Sequence, residues 1–223
     1  MIKPVKKIFT EKNNPIELFL AEKKCCQKGQ TILIIGVFHG DEPEGEFLIH
    51  KLIDEIKKNP ELIENNTILF IPCLNPDGKD LKTRTNTNGV DLNRNFPTTN
   101  WELSEKKDCY YSGNSPASEI ETKFLIQVID EYKPDRILTL HTPYKVVNYD
   151  GCAKELAEEI SKLNGYPVEE NIGYPTPGSF GTYCGIERNI PTITLELPEN
   201  ESPEKLWDDN KKAFYFFVKG DFN

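Results

Sequence analysis

The sequence lacks a long apolar run, an excess of basic residues and any Cys-x-x-Cys pair. Its apolar stretches, such as TILIIGVF, are far shorter than the roughly 20 residues that a membrane-spanning helix requires. A net charge of −9 opposes binding to phosphate backbones, and no basic stripe with interleaved aromatic residues is present. These absences exclude an integral membrane protein and argue against a nucleic-acid partner.

The cysteines show no spacing typical of a metal or redox site. There are six: Cys25, Cys26, Cys73, Cys109, Cys152 and Cys184. A chain of 223 residues buries a core large enough to fold without disulfides, so reduced structural thiols are expected. The N-terminal segment lacks the apolar stretch and cleavage site of a secretory signal, which predicts a cytoplasmic protein. The oligomeric state is left open.

Apolar runs alternate with segments of helical periodicity, which predicts one α/β domain spanning residues 1–223. Strands are predicted at 16–22, 31–38, 67–75, from 136 onwards and at 193–197, and helices at 44–58, 115–133, 152–163 and 203–218. The segment from NPDG to NFPTTNW, residues 75–101, is rich in Asn, Gly and Pro and is predicted to be a long functional loop without regular structure. In such sandwiches the sheet is largely buried and function lies at strand ends.

Only three histidines occur, and two of them mark the ends of predicted strands. His39 follows TILIIGVF and His141 follows RILTL, so both are expected on one rim of the sheet. Glu42 lies three residues after His39, within reach of the same ion. Two imidazole nitrogens and one carboxylate with an open position describe a catalytic zinc site, and we predict one Zn²⁺ per chain. Asp41 is a candidate for orienting a ligand.

Further polar residues are candidates for chemistry beside this ion. Glu196 lies within the apolar pattern TITLELPE, where an unpaired carboxylate is costly to bury. A carboxylate beside the metal can accept the proton of an attacking water, so Glu196 is the predicted general base. Arg84 and Arg94 lie in the long polar loop. Each is either a cation for an oxyanion or a substrate carboxylate, or a plain surface charge.

The ordered motifs HGDE, NPDG, GVDLNRNF and TLELPE, with an arginine and a second histidine between them, resemble the zinc carboxypeptidase family, the M14-type metallopeptidases. The resemblance covers roughly residues 31–198 and implies a three-layer α/β/α sandwich with a mixed, mostly buried central sheet. It also implies that His39, Glu42 and His141 bind zinc and that Glu196 is the catalytic glutamate.

The same resemblance implies roles for the residues around the metal. Arg84 matches the arginine that polarises the substrate carbonyl, and Asn93 with Arg94 matches the pair that holds the substrate's terminal carboxylate. Tyr174 is the nearest candidate for the substrate-capping tyrosine. The implied partner is a small peptide with free carboxylates.

Several functions share these motifs. Within the family the chain looks most like the murein peptide amidases, which implies hydrolysis of the γ-D-glutamyl to meso-diaminopimelate bond of cell-wall tripeptide. The alternatives are a metallocarboxypeptidase acting on other peptides and a deacylase of N-acyl amino acids of the aspartoacylase or succinylglutamate desuccinylase type. A fourth hypothesis is a metal-dependent binding module that does not turn over a substrate. The NPDG and TLELPE segments argue against a deacylase.

Overall fold

A computed structural model describes residues 2–23, 29–106 and 108–220, and these form a mixed β-sheet with helices packed on it. The strands are β1 (Ile2–Phe9), β2 (Pro15–Ala21), β3 (Thr31–Ile35), β4 (Thr67–Ile71), β5 (Arg136–His141), β6 (Tyr144–Asp150), β7 (Val168–Glu169) and β8 (Thr192–Pro198). The α-helices are α1 (Glu44–Lys58), α2 (Pro76–Leu81), α3 (Ile120–Tyr132), α4 (Lys154–Asn164) and α5 (Pro203–Lys219).

The eight strands lie in the order β1-β2-β4-β3-β5-β8-β6-β7. The four central strands, β4, β3, β5 and β8, are parallel to one another. On the two sides, β2 and β6 run antiparallel to their central neighbours. The carboxyl ends of β3, β5 and β8 therefore meet at one edge of the sheet, which is where ligands bind in open α/β folds.

Both faces of the sheet are covered, as expected for central strands that are apolar on both sides. On one face Ile34, Leu138 and Leu195 pack with residues of α1, α4 and α5. On the other face Leu33 and Ile137 pack with α3 and with residues of the loops. The prediction of a three-layer α/β/α sandwich with a mixed, buried sheet is confirmed.

Most predicted elements are present, but three boundaries were wrong. Strand β3 ends at Ile35 rather than 38: the Gly36 N–H still donates to Ile71 O of β4, but Val37 then turns the chain with φ 54°. Strand β4 ends at Ile71 rather than 75. Helix α3 begins at Ile120 rather than 115, because the preceding turn is tied to Asn95 through hydrogen bonds. Helix α1 spans 44–58 as predicted.

The polar segment 75–101 is not free of regular structure, and that prediction was wrong. It contains α2, whose start is capped by the Asn75 side chain accepting from Gly78 N–H and is followed by Pro76, a favourable first helical residue. Strands β1, β6 and β7 were not predicted. In β6 the polar residues Asn148 and Asp150 alternate with apolar ones, because one of its faces looks toward a cleft.

Within the described residues, no helix has the length and apolar character needed to cross a membrane. The described cysteines, Cys73, Cys109, Cys152 and Cys184, are free thiols. Burial raises the pKa of the Cys73 thiol to about 12, as befits a structural residue. Cys25 and Cys26 lie outside the described residues. The single-domain assignment and the cytoplasmic location stay predictions.

Candidate metal centre and active site

Three buried side chains, those of His39, Glu42 and His141, converge at the carboxyl edge of the sheet, with their ligand atoms within 4.8 Å of one another. His39 Nδ1 lies 2.8 Å from Glu42 Oε1, and His141 Nδ1 lies 3.0 Å from Glu42 Oε2. The two Nδ1 atoms are 3.3 Å apart. Two imidazoles and a carboxylate facing one point are the donor set of a catalytic zinc site, so the residues present fit this metal.

The loop after β3 places His39 and Glu42 through close backbone contacts with α2. The Asn75 side chain donates to Phe38 O at 3.1 Å, which ties the start of α2 to the residue before His39. A Cβ on Gly40 would lie 1.9 Å from Gly78 C, so only glycine permits this approach. The loop that carries HGDE therefore packs directly against the start of α2, which carries NPDG. These two packed segments are called the corner of the site.

His141 comes from the sheet itself. It is the last residue of β5 and pairs in register with Glu196 of the neighbouring β8. Its ring stacks on Phe38, with ring centroids 5.3 Å apart. The metal ligands thus come from a loop and from a central strand, which are joined by the aromatic contact.

A fourth buried residue, Asp91, contacts His39 at the ring nitrogen opposite the one that faces Glu42 and His141. Asp91 Oδ1 lies 3.1 Å from His39 Nε2, and its other oxygen accepts from Arg84 Nε at 2.9 Å. A proton on Nε2 that donates to Asp91 leaves the Nδ1 lone pair of His39 facing Glu42 and His141. Asp41, the sequence candidate for such a contact, is exposed instead.

The carboxylates set the electrostatics of this cluster. Burial by itself lowers the pKa of His39, but Glu42 and Asp91 outweigh burial and raise that pKa to about 9. Burial raises the pKa of Glu42, yet His39 and His141 outweigh it, so the pKa of Glu42 lies well below its usual range. The site therefore holds concentrated negative charge that suits a cation.

Glu196 lies beside the cluster as a buried carboxylate with an unused acceptor. Its Oε2 is fully buried and has no hydrogen-bond partner among the described residues. Burial, and secondarily the charge of Glu42, raises the pKa of Glu196. Alternation along β8 explains its position, since Leu195 and Leu197 enter the core on the opposite face. A carboxylate of raised pKa in a cleft is suited to accept and return a proton.

Two cations, Arg84 and Arg94, line the same cleft as Glu196. Arg84 Nη1 is 3.6 Å from Glu42 Oε1, which places this guanidinium next to the metal ligands. Arg94 is buried and lines the cleft, and Asn93 beside it accepts from Phe180 N–H through Oδ1 at 2.8 Å. The amide nitrogen of Asn93 thus stays available as a donor.

Two aromatic residues, Tyr110 and Tyr174, line the cleft near these cations. Tyr110 is 41% exposed, and its ring lies 5.0 Å from the Arg84 guanidinium and 5.4 Å from that of Arg94. Tyr174 also lines the cleft; burial and a hydrogen bond to Tyr144 raise its pKa to about 12. Its capping role stays a prediction.

The cleft that these residues line has a volume of about 460 Å³ and reaches from the metal centre down the face of β6 and β8. It brings together His39, Glu42, Arg84, Asn93, Arg94, His141, Tyr174 and Glu196, every residue proposed from the sequence. A cavity of this size accommodates a small peptide. The arrangement combines a candidate metal site, a buried carboxylate suited to proton transfer and donors suited to an anion.

Comparison with known proteins identifies the chain. The family model described as "Zinc carboxypeptidase" matches residues 10–205. Murein peptide amidase A of Escherichia coli (strain K12) is 35% identical over 183 residues, which cover 77% of this chain and 73% of that protein. The chain belongs to the zinc carboxypeptidase family. It is therefore a zinc-dependent hydrolase of peptide or amide bonds, and its His-Glu-His group is positioned as a zinc site.

Solved structures of the family share its fold. The crystal structure of murein-tripeptide amidase from Escherichia coli O157 matches with a TM-score of 0.77 at 27% identity, covering 96% of this chain and 91% of that one. Carboxypeptidase A from Helicoverpa armigera matches with a TM-score of 0.79 at 18% identity, covering 96% of this chain and 66% of that one. The second likeness concerns the fold alone.

One residue of this zinc carboxypeptidase centre was missed by the reasoning from sequence. Asp91 lies in GVDLNRNF. A carboxylate in the segment that also holds Asn93 and Arg94, the predicted carboxylate-binding pair, was a usable signal.

Proposed function

We propose that the protein hydrolyses the γ-D-glutamyl to meso-diaminopimelate amide of murein tripeptide. One observation carries the proposal: a catalytic cleft of this family's composition in a chain that is 35% identical to murein peptide amidase A over 77% of its length. The similarity to murein-tripeptide amidase over 96% of the chain supports the same substrate class. Recycling of cell-wall peptides in the cytoplasm is the setting that fits this activity.

In the proposed mechanism the substrate is held by its free carboxylate. Asn93 and Arg94 bind the carboxylate of the diaminopimelate centre whose nitrogen is acylated, and Tyr174 closes over it. This binding sets the γ-carbonyl between Arg84 and Glu196. His39, Glu42 and His141 would hold the zinc, which would supply Lewis acidity to the carbonyl oxygen and to the water.

The chain's own groups then handle charge and protons. Glu196 accepts a proton from the water as its oxygen attacks the γ-carbonyl carbon. Arg84 stabilises the negative charge that develops on the carbonyl oxygen. Glu196 returns the proton to the leaving nitrogen as the C–N bond breaks, which releases L-Ala-D-Glu and diaminopimelate.

The test is product analysis by mass spectrometry with the zinc-loaded protein and synthetic tripeptide. We expect release of diaminopimelate, loss of release with a chelator, and no release by Glu196→Gln although that variant still binds zinc. Intact tripeptide together with removal of C-terminal residues from unrelated peptides would instead establish a general carboxypeptidase. Release of acyl groups from N-acyl amino acids alone would establish a deacylase.

A further inference from the structure

The proposed mechanism does not use Tyr110, although the ring of this residue lies over both arginines of the cleft. The ring centroid is 5.0 Å from the guanidinium carbon of Arg84 and 5.4 Å from that of Arg94. A guanidinium within about 6 Å of an aromatic centroid is attracted to the face of the ring. Tyr110 is exposed, so packing in a core does not account for its position.

The backbone around Tyr110 is fixed by hydrogen bonds, which hold the ring in a defined place. The Tyr110 N–H donates to Asp108 Oδ1 at 2.9 Å, and the Ser104 hydroxyl donates to Tyr110 O at 3.0 Å. The next residue, Tyr111, is buried, and its carbonyl oxygen accepts from Asp91 N–H at 2.8 Å. Asp91, which contacts the metal centre, is therefore also joined to the segment that carries the ring.

The two arginines differ in how firmly other residues hold them. Arg84 has carboxylate partners, since its Nε donates to Asp91 at 2.9 Å and its Nη1 lies 3.6 Å from Glu42 Oε1. Within the described part of the chain Arg94 forms no ion pair, and its guanidinium donates only to the carbonyl oxygen of the adjacent Asn93, at 2.6 Å. The orientation of Arg94 therefore depends on the Tyr110 ring more than that of Arg84 does.

A second cavity, of about 220 Å³, adjoins the cleft at this point. Arg94, Tyr110 and Tyr174 line both cavities, so these three side chains separate one from the other. Two exposed acidic residues, Glu102 and Asp108, also line the second cavity and would attract a guanidinium. A smaller side chain at position 110 would open a route for Arg94 toward these carboxylates and away from the substrate.

We propose that Tyr110 is a positioning residue that keeps the Arg94 guanidinium in the cleft, oriented to bind the terminal carboxylate of the substrate. The inference rests on the proposed function through the role given to Arg94. The face of the ring attracts the guanidinium, and the bulk of the ring closes the way to the acidic cavity. Because Arg94 is oriented before the substrate arrives, binding does not have to order a long side chain.

The first experiment measures KM and kcat of the zinc-loaded protein on the tripeptide, for wild type and for Tyr110→Leu, which replaces the ring by a smaller apolar group. We expect KM to rise by about 5- to 30-fold, the range for losing a cation–π contact of a buried guanidinium. We expect kcat to fall by less than about threefold, because Asp91 still holds Arg84. The retained kcat also shows that the variant is folded.

Two further variants separate the ring from the hydroxyl and from the loop. Tyr110→Phe keeps the ring and should bring KM back to within about twofold of the wild-type value. Leu103→Ala is the matched control, because Leu103 is exposed in the same loop and lines neither cavity, and its KM should equal that of wild type. A loss in Tyr110→Leu that appears in kcat alone would overturn the inference, as would failure of Tyr110→Phe to restore KM.

A double-mutant cycle tests whether Tyr110 acts through Arg94. All its variants carry Glu196→Gln, so tripeptide binding is measured by calorimetry without turnover. When Arg94→Ala is present, Tyr110→Leu should change Kd by less than about twofold, because the group that it positions is gone. When Arg84→Ala is present, the rise of about 5- to 30-fold should persist. A rise that persists without Arg94 would overturn the inference, since Tyr110 would then act on the substrate or on Tyr174.

Failure of the proposed function is distinguishable from failure of this inference. If the wild-type enzyme leaves the tripeptide intact but removes C-terminal residues from other peptides, the proposed substrate is wrong, and the same variants are compared on one of those peptides. Weaker binding in Tyr110→Leu that disappears without Arg94 would still support the positioning role, and unchanged binding would overturn it. If no peptide is cleaved, free diaminopimelate is the calorimetric probe, and its failure to bind wild type would overturn both proposals.

Discussion

At the scale of single residues, His39 is held from two sides by carboxylates with different tasks. Glu42 faces the same point as the Nδ1 atom, whereas Asp91 contacts the opposite ring nitrogen and also Arg84. Asp91 thereby joins the metal centre to the cation that is proposed to stabilise the oxyanion. A buried carboxylate behind a metal-binding imidazole fixes the tautomer and orientation of the ring.

Asp91→Asn is expected to weaken zinc binding by about 10- to 100-fold, the usual effect of losing a residue that orients a metal ligand. The amide nitrogen would face Arg84 Nε, donor against donor, so the variant cannot reproduce both contacts. Zinc affinity measured by chelator competition checks this. Asp41→Asn removes an exposed carboxylate at the same cleft and should leave the affinity unchanged; similar affinities for the two variants would contradict the role given to Asp91.

At the scale of elements, the metal centre depends on how closely the loop after β3 approaches α2. Val37 adopts φ 54° although it is β-branched and fully buried, a conformation that costs on the order of 1–3 kcal/mol. The turn it makes brings Gly40 against Gly78. The corner stores strain that packing around it must offset.

Gly40→Ala is therefore expected to lower both stability and zinc affinity, because the added methyl group collides with α2 backbone. The loss of unfolding free energy should be about 1–3 kcal/mol by urea titration. Gly165→Ala is the control, since Gly165 has φ 74° but open space around it at the end of α4. It should cost about 1–2 kcal/mol through strain alone and leave zinc affinity intact. Unaltered zinc binding in Gly40→Ala would show that the corner does not position His39.

Helix α3 begins with a buried acidic residue, which makes its docking sensitive to pH. Burial raises the pKa of Glu121 to about 7 from its ordinary value of 4.5, with the nearby charge of Glu119 adding to the effect. An acid whose pKa is raised on folding is protonated at no cost below its unfolded pKa. As the pH rises from 4.5 to about 7, the unfolded chain gives up this proton more readily than the folded protein does. The free energy of unfolding therefore falls over this range.

Glu121→Gln should consequently stabilise the protein at pH 8 by up to about 3 kcal/mol, with the difference vanishing near pH 4.5. Urea unfolding at both pH values measures this. Asp130→Asn removes an exposed charge from the same helix and should change the stability by less than about 0.5 kcal/mol at either pH. A constant difference between Glu121→Gln and wild type across this range would contradict the buried ionisation.

At the scale of the whole molecule, one sheet serves both apolar cores. Alternate residues of β3 and β5 enter opposite clusters, so the cores beneath the two layers of helices are built on the same strands. Such sharing couples the two layers. It supports the prediction of a single domain.

We expect the metal-free protein to unfold in one cooperative transition, with equal calorimetric and van't Hoff enthalpies. Phe217→Ala, in α5 and fully buried, should shift the entire transition by about 3–5 kcal/mol. Phe217 lies on the face opposite the cleft, so zinc affinity should be unchanged. Two separable transitions, only one of them moved by this substitution, would rule out a single cooperative unit.

The order of elements and the candidate residues followed from local pattern. Apolar runs and helical periodicity located the four parallel strands and the longer helices. They did so because the buried residues of each element follow a regular pattern over a short stretch of the chain. His39 and His141 stood out because each ends such a strand, and Glu196 because it interrupts one. The predicted residues around them came from the resemblance between motifs.

The remaining features depend on contacts between distant segments, which no local pattern encodes. Helix α2 forms in an Asn- and Gly-rich segment because Asn75 caps it and glycine contacts accommodate it. Strand β6 escaped detection because the cleft, rather than the core, receives half of its side chains. The sequence by itself indicated which strands are buried on both faces and which three residues form the candidate zinc-ligand set. Tertiary packing alone decided that Asp91 holds His39 and that Asp150 faces the cleft, because both contacts join residues far apart in the chain.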